Sequence, residues 1–298
     1  MRVLTPERFE QAIRSVERGI DRGRLTVRFG CGNPATLRAE LARFQNQDGG
    51  YGNRIEPDFW LPDSSPMATT IGLQFLAAAD APAAWPEVRR AVAYLAATFD
   101  EGLPGWEPTP PAIDDHPRAP WWAYRPPGGF EANPGAEALG WLLSYPEIAP
   151  ADVTTAATGA AVERLGSLGD EMEAHELLCW LRLAGRAADP LRSEILEKAR
   201  AAARRLVTFD RDAWDEYVPG PLWVAPAPDA PLFDLVADHV DAHLDHLVAA
   251  QQDDGSWAPT WTWGADPDWP EAERLWHSPL TVQAIETLGA YGRIEGYP

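Results

Sequence analysis

The segment FQNQDGGY at residues 44–51 returns as AQQDDGSW at residues 250–257, an offset of 206 positions. A glutamine, an aspartate, a glycine and a final aromatic residue coincide in the two copies, and a weaker echo runs from Asp100 to Trp106. Each full copy follows a segment with the apolar spacing of an amphipathic helix and precedes a loop and another helix. Glutamine can bond the free carbonyls at a helix end, and glycine permits the left-handed turn there. The repeat therefore predicts the same helix–turn–helix element near both ends of the chain.

Proline marks the predicted helix starts, because its missing N–H and fixed φ suit the first helical position. Six prolines directly follow a side chain that can cap a helix: Thr5-Pro6, Asn33-Pro34, Ser65-Pro66, Asn133-Pro134, Asp189-Pro190 and Ser278-Pro279. Apolar periodicity predicts ten helices, near 6–20, 34–45, 66–79, 86–99, 134–145, 151–166, 172–185, 189–207, 231–251 and 279–292, and an irregular stretch at 208–230. No segment has the alternation of a strand, so we expect an all-α chain.

The composition narrows the classes of partner. With 45 acidic and 25 basic residues the formal charge is −20, which disfavours nucleic acid as a partner. No apolar run approaches the roughly 20 residues that span a bilayer, so no transmembrane segment is expected. The charged N-terminal sequence and only two cysteines predict a cytoplasmic protein with reduced thiols. Nothing in the sequence identifies a partner protein.

The Q-x-x-D-G-(G/S)-(Y/W) segments resemble the Gln–Trp repeat of the α/α-toroid superfamily of terpenoid cyclases and protein prenyltransferase β-subunits. The resemblance implies a single α/α toroid of about ten to twelve antiparallel helices in inner and outer layers. That toroid would span residues 1–298, with a basic helix within residues 1–30 packed on the ring or closing it. It also implies a terpenoid-cyclase-like protein that acts on an isoprenoid or other apolar ligand by acid catalysis. Similar toroids serve carbohydrate hydrolases and lyases, so a sugar ligand and a non-catalytic binding role stay open.

The chain departs from the catalytic motifs of that superfamily. The Asp-x-Asp-Asp acid of class II terpene cyclases is matched only by Ala112-Ile113-Asp114-Asp115, whose first aspartate is replaced by alanine. The Asp-Asp-x-x-Asp motif for magnesium and diphosphate does not occur, and Cys31 and Cys179 lack the surroundings of the prenyltransferase zinc site. No cofactor is therefore predicted, although a divalent magnesium or zinc ion remains an alternative.

Five residues are the predicted catalytic groups: Asp114, Asp115, His116, Glu137 and His175. Adjacent carboxylates such as Asp114 and Asp115 can hold one raised pKa by mutual repulsion, and His116 beside them can relay a proton. Glu137 and His175 lie on predicted inner helices and can project into a cavity. The competing interpretation of the loop group is a capped turn covered by tryptophans.

Loop tryptophans and acids are the predicted substrate-binding groups. Eleven of the fourteen tryptophans fall in predicted loops, which is more than loop anchoring requires. The predicted ligand contacts are Glu56, Asp58, Trp60, Trp106, Trp121, Trp122, Trp223, Trp257 and Trp276. For Glu56 and Asp58 a surface turn is the alternative, and the repeat accounts structurally for Trp257 and in part for Trp106. We expect these groups to form an acidic, tryptophan-walled pocket for an apolar or sugar ligand.

Two histidine-containing stripes are alternative zinc sites. One combines Glu171, His175 and Cys179 at spacings of four, and the other combines His239, His243 and His246. The competing interpretation of the first stripe is an ion pair with a core thiol, and that of the second is a row of histidines at the border of an apolar helix face. These packing interpretations are preferred for both.

Overall fold

A computed structural model describes residues 1–169 and 172–297, and in these residues it contains helices and no strands. The α-helices are α1 (Pro6–Ser15), α2 (Gly19–Arg28), α3 (Pro34–Leu41), α4 (Pro66–Ala78), α5 (Pro86–Ala97), α6 (Ala132–Ser144), α7 (Ala151–Ser167), α8 (Ala174–Ala184), α9 (Leu191–Leu206), α10 (Pro221–Val224), α11 (Phe233–Ala249) and α12 (Trp269–Ala290). Short 3-10 turns lie at Pro111–Asp115, Pro120–Trp122 and Arg211–Ala213. The all-α prediction is confirmed. No helix in the described ranges has the length and apolar character needed to cross a membrane.

Proline begins several of these helices, as the sequence predicts. The Thr5 hydroxyl accepts the Arg8 backbone N–H at the start of α1, and the Ser65 hydroxyl accepts the Ala68 N–H at 3.1 Å at the start of α4. Each side chain satisfies one of the orphan N–H groups of a first turn. The pairing of a capping residue with proline thus fixes where the chain enters the helix.

Two predicted helix boundaries are wrong. The helix predicted over 6–20 ends at Ser15, and a separate helix runs from Gly19 to Arg28. Between them the Ser278 hydroxyl accepts the backbone N–H groups of Glu17 at 3.0 Å and Arg18 at 3.1 Å. Helix α12 begins ten residues before Pro279 and contains it, since Pro270 already supplies the proline of the first turn. The helix tolerates Pro279 at the loss of one internal hydrogen bond.

The chain divides into two compact units, which we call the middle unit (Arg38–Ala202) and the terminal unit (Met1–Leu37 with Ala203–Pro298). The boundaries fall within α3 and α9. Each unit contains one copy of the repeated turn, the middle unit at 44–51 and the terminal unit at 250–257.

Helices α4, α6 and α8 of the middle unit lie side by side and run in the same direction. Between α6 and α8, Asn133 contacts Cys179 and Glu137 contacts Arg182, so positions along both helices increase together. Between α4 and α6, Gln74 bonds Glu137, and just beyond the two helix ends the Tyr145 hydroxyl donates to the Ala81 carbonyl at 3.3 Å, so these helices also run in the same direction. Helix α5 returns the chain between α4 and α6, and α7 returns it between α6 and α8. Within this unit the chain therefore forms helical hairpins in series.

Both copies of the repeated turn make the same hydrogen bonds. Gln45 Nε2 donates to the Gly49 carbonyl at 2.9 Å, and Gln251 Nε2 donates to the Gly255 carbonyl at 2.9 Å. The two glycines have φ values of +96° and +92°, the left-handed region that the sequence predicts. The glutamine and glycine of the motif thus close a turn in each unit.

The final aromatic of each copy is fixed by the helix that follows. The Tyr51 backbone N–H donates to the Thr69 hydroxyl at 3.0 Å, and that of Trp257 donates to the Thr281 hydroxyl at 3.1 Å. Both aromatic side chains are buried. The motif therefore joins one helix to the next and contributes to the fold of each unit.

Candidate functional site

Two long loops of the middle unit, 52–65 and 110–124, pack against each other as one loop cluster. The Ala119 N–H donates to the Asp58 carbonyl at 2.9 Å, and the Trp60 N–H donates to the Pro117 carbonyl at 3.1 Å. Beneath these bonds lies a small apolar core of Phe59, Leu61, Met67 and Ile113. The structure thus brings together the two loop segments that the sequence singles out separately.

Asp58 and Trp60 are buried in this cluster. Asp58 is 2% exposed and accepts the Trp122 indole N–H at 2.9 Å. The Trp60 indole donates to the Pro57 carbonyl at 2.6 Å, and the Arg54 guanidinium stacks 3.6 Å from its ring centre. Asp58 therefore positions Trp122, and Trp60 supports the loop from inside, so direct ligand contact is not favoured for either.

Asp114 organises a turn in the same cluster. Its carboxylate accepts the Tyr124 backbone N–H at 3.1 Å and two N–H groups of Arg118 at 3.0 and 2.6 Å. The Tyr124 hydrogen bond, aided by Arg118, lowers the pKa of Asp114 below its ordinary value. Asp114 is therefore ionised at neutral pH, which favours the capped-turn interpretation over the role of a proton donor.

The two predicted neighbours of Asp114 take no part in that network. Asp115 is exposed and His116 is half-buried, and within the described residues neither side chain makes a hydrogen bond. Trp121 is 51% exposed, whereas the adjacent Trp122 is half-buried against the apolar core. Of the loop residues 114–122, Trp122 is thus the best placed to form an aromatic wall.

Glu137 lies at the centre of a polar chain that crosses three helices. It is 2% exposed, accepts the Gln74 amide N–H at 2.8 Å and accepts Nη1 of Arg182 at 2.7 Å. Burying a carboxylate is costly unless donors compensate it, and here one comes from each neighbouring helix. Gln74 and Arg182 were missed from the sequence, although each stands among apolar residues in the second half of its helix, PMATTIGLQFLAA and AHELLCWLRLA.

The Arg182 side chain is partly exposed to solvent, although much of its surroundings is protein. Burial lowers its pKa, but the carboxylates of Glu137 and Glu56 and the Cys179 thiol outweigh burial and leave the pKa raised. Even so, 42% of its side chain is exposed, and the described residues offer its guanidinium no hydrogen bond other than that to Glu137. We call the group of polar side chains formed by Gln74, Glu137, Arg182 and the nearby Glu56 the recess.

The recess adjoins the aromatic part of the loop cluster. Ile71 lies three residues before Gln74 and therefore on the same face of α4. Ile71, Trp122 and Tyr124 are partly exposed and pack against the apolar core of the cluster. One face of the middle unit thus presents a buried carboxylate, an accessible arginine and a partly exposed aromatic wall.

Two members of the alternative zinc stripe on α8, His175 and Cys179, have protein partners. Burial raises the pKa of the Cys179 thiol to about 12, and its sulfur lies 3.7 Å from the Asn133 side-chain oxygen. His175 is half-exposed and lies 3.4 Å from Glu173, which caps the helix; Glu171 lies outside the described residues. No three His, Cys, Asp or Glu side chains in the described ranges are arranged to hold a metal ion.

Trp106 and Trp257 have structural partners. The Trp106 indole donates to the Leu95 carbonyl at 2.7 Å, and the Trp257 indole donates to the Leu247 carbonyl at 2.8 Å. Both rings are buried beside the turns that they close. The role that the repeat assigns to them accounts for both, and ligand binding is not needed to explain either.

Trp223 and Trp276 belong to an aromatic row in the terminal unit. Ring centres are separated by 5.8 Å for Tyr217–Trp223, 4.9 Å for Tyr217–Trp261 and 5.0 Å for Trp261–Trp276. The tryptophans that the sequence assigns to one pocket are therefore divided between the two units.

The histidine stripe of α11 packs under residues 208–230. His239 stacks on Phe209 at 4.2 Å and His243 stacks on Trp214 at 4.4 Å between ring centres. The His243 Nδ1 accepts the Leu222 backbone N–H at 3.2 Å, and burial lowers its pKa to about 3. These contacts favour packing over metal binding for this stripe.

The geometry is the basis for a functional assignment, because no protein-family model matches the chain and no curated protein matches its sequence.

Proposed function

We propose that the recess of the middle unit binds a neutral, hydroxyl-rich ligand of the sugar class, and that the protein is a carbohydrate-active hydrolase or lyase. The observation that carries the proposal is the Gln74–Glu137–Arg182 chain, whose arginine is accessible while its carboxylate is buried. Hydroxyl groups both donate and accept, so they can bond the Arg182 guanidinium and the half-buried Glu56 carboxylate near it.

The charge of the recess favours a neutral ligand. Glu137 and Glu56 lie near Arg182, and Arg186 lies near Arg182 and Glu137, so the two positive and two negative charges balance and the group carries no net positive charge. A diphosphate needs cationic partners or a metal ion, and the recess does not supply an excess of the former. The partly exposed rings of Trp122 and Tyr124 offer the faces on which a sugar can stack.

In this proposal the two glutamates have different roles. Glu137, buried and held by Gln74, orients the Arg182 guanidinium that binds the sugar hydroxyl groups. Glu56 is half-buried in the neighbouring loop and is the group that transfers a proton. No cofactor enters this assignment.

A terpenoid-cyclase-like activity on an apolar isoprenoid is the second candidate. Ile71, Trp122 and Tyr124 favour it, since a partly exposed apolar and aromatic surface can bind such a ligand. Acid catalysis requires a protonated carboxyl group, and the lowered pKa of Asp114 argues against that residue as its source.

We also propose that the fold is a single α/α toroid. The resemblance of the repeated turn and the parallel order of α4, α6 and α8 support this proposal.

Ligand titration followed by tryptophan fluorescence and calorimetry tests these alternatives. The panel contains maltose, cellobiose, xylobiose, squalene and farnesyl diphosphate. Binding of a neutral oligosaccharide that weakens at least tenfold in Arg182→Gln supports the sugar proposal. The matched control is Arg164→Gln, which breaks a comparable pair with Glu176 (3.1 Å) in the same unit and should leave binding unchanged. Binding of squalene or farnesyl diphosphate alone would favour the second candidate.

A further inference from the structure

The second copy of the repeated turn carries a polar group that the first lacks. In the first copy the Asp48 carboxylate accepts the Gly50 backbone N–H at 3.0 Å and the Ser64 hydroxyl at 2.7 Å. In the second copy Asp254 accepts the backbone N–H of Ser256 at 2.9 Å and the hydroxyl of the same residue at 2.6 Å. Both aspartates thus cap their turns, but the hydroxyl comes from a different part of the chain.

This exchange makes room for a histidine. At the first copy a Cβ on Gly50 would lie 2.5 Å from the Ser64 Cβ, so a serine could not occupy that turn. At the second copy the turn has Ser256, and His277 of α12 approaches it with its Nδ1 2.8 Å from the Ser256 oxygen. A Ser–His pair therefore stands where the first copy has a glycine and a serine.

The direction of these hydrogen bonds determines which tautomer an uncharged His277 side chain adopts. The Ser256 hydroxyl has one proton to donate. It donates this proton in a hydrogen bond to the Asp254 carboxylate, because that contact is the shortest and its acceptor is charged. The Ser256 hydrogen bond is the main cause that lowers the pKa of Asp254, so the carboxylate remains an acceptor. His277 must then donate its Nδ1–H to Ser256, so that in the uncharged imidazole the lone pair is on Nε2.

Unsatisfied donors lie next to this acceptor in the chain. Within the described residues, His277 Nε2 makes no hydrogen bond, and the indole N–H groups of Trp276 and Trp261 are buried without a partner. The Trp261 and Trp276 rings meet nearly edge to face, at 5.0 Å and 84°. A buried donor without an acceptor costs free energy that a ligand oxygen can recover.

We propose that the terminal unit contains a ligand site of its own, in which His277 Nε2 accepts a hydrogen bond from a hydroxyl group of a neutral polyol or sugar. Asp254 and Ser256 are positioning residues that hold the imidazole in the required tautomer. The indoles of Trp276 and Trp261 supply the donors and the apolar surface of the site. This site is separate from the recess and uses none of its residues.

Long-range proton–nitrogen NMR of protein with ¹⁵N-labelled histidine tests the tautomer first. His277→Gln assigns the signals, and we expect wild-type His277 to be protonated on Nδ1 and unprotonated on Nε2 at pH 8. Ser256→Gly, which restores the residue of the first copy, should shift His277 toward the Nε2–H form. A wild-type His277 protonated on Nε2 would overturn the proposal without any variant.

The ligand is tested on the same signal with glucose, maltose and cellobiose as probes. At least one probe should shift the Nε2 resonance of His277, and its affinity should fall at least tenfold in Ser256→Gly. His175→Gln in the middle unit is the matched histidine control and should leave the His277 resonance and its response to the sugars unchanged. The Arg182→Gln variant should also leave the His277 response intact, which separates this site from the recess. If none of the three sugars shifts Nε2, the proposed site does not exist, whatever binds in the recess.

Discussion

Glu137 and Arg182 form a pair whose two members differ sharply in their access to water. Their oxygen and nitrogen atoms are 2.7 Å apart, yet the glutamate is 2% exposed and the arginine 42%. The carboxylate is therefore committed to the protein, whereas the guanidinium can also face a ligand. Gln74 completes the pair from a third helix, so the same contact that joins α4, α6 and α8 also shapes the recess.

We first expect Glu137→Ala to destabilise the middle unit. The substitution leaves the Gln74 amide and Arg182 without their shared acceptor, and because Arg182 is accessible to water the cost should be about 1–3 kcal/mol. Urea unfolding measures it as a fall in the free energy of unfolding. Glu131→Ala removes a more exposed pair with Arg125 (2.7 Å) and should cost less than about 1 kcal/mol. Equal losses in the two variants would contradict the central role of Glu137.

Gln45 and Gln251, the glutamines of the repeated turn, should contribute about equally to the free energy of unfolding. Gln45 Nε2 bonds the carbonyls of Gly49 and Glu87, both at 2.9 Å, and Gln251 makes the equivalent pair of bonds in the terminal unit. Loss of two hydrogen bonds to the main chain predicts a cost of about 1–2 kcal/mol for Gln45→Ala and a similar cost for Gln251→Ala. Thermal and urea unfolding provide the measurement. The exposed Gln47 has no such role, so Gln47→Ala should be close to neutral.

The repeated turn was predictable because its function is local. A glutamine, a left-handed glycine and an aromatic act within a few residues of one another, so their spacing carries the structural information. The same holds for the capping residue and proline at Thr5-Pro6 and Ser65-Pro66. The all-α fold class can therefore be predicted from these local signals without knowledge of the tertiary contacts.

The polar chain of the recess was only partly predictable. Glu137 is visible as a carboxylate on an apolar helix, but its donors lie 63 positions before it, at Gln74, and 45 positions after it, at Arg182. Sequence periodicity gives the face of a helix and not the partner on the next helix. Asp114 illustrates the opposite error, because the adjacent carboxylates indicated repulsion while Arg118 and Tyr124 in fact stabilise the charge.

The motif glycines should not accept a side chain. Gly49 and Gly255 have positive φ, and a Cβ would lie 2.5 Å from the Arg90 carbonyl oxygen in one case and 2.6 Å from the Gln11 carbonyl carbon in the other. Gly49→Ala and Gly255→Ala should each lower the free energy of unfolding by about 1–3 kcal/mol, since both strain and overlap oppose the folded state. Differential scanning calorimetry measures the effect as a lower Tm.

Gly159 is the control for these glycines. It lies in the middle of α7, where an added Cβ would meet no other atom within 4 Å, and its φ is not positive. Gly159→Ala should therefore raise stability by about 0.5–1 kcal/mol, because alanine has the higher helix propensity. A loss of stability in this variant comparable to that in Gly49→Ala would refute the argument from backbone conformation.

His243 should make stability depend on pH in the acidic range. Burial, with a smaller effect of His246, lowers its folded pKa to about 3, whereas an unfolded histidine has a pKa near 6.5. The unfolded chain therefore binds a proton that the folded chain does not, and stability falls as the pH drops from about 6.5 toward 3. The loss through this residue should be about 1.4 kcal/mol for each pH unit in that range, on the order of 4 kcal/mol at its lower end. Urea unfolding at a series of pH values should show that the free energy of unfolding depends less on pH in His243→Gln than in the wild type. The variant also loses the stack on Trp214 and is therefore less stable at neutral pH. An unchanged slope in His243→Gln would mean that the imidazole is charged in the folded protein, contrary to its buried contact with the Leu222 N–H.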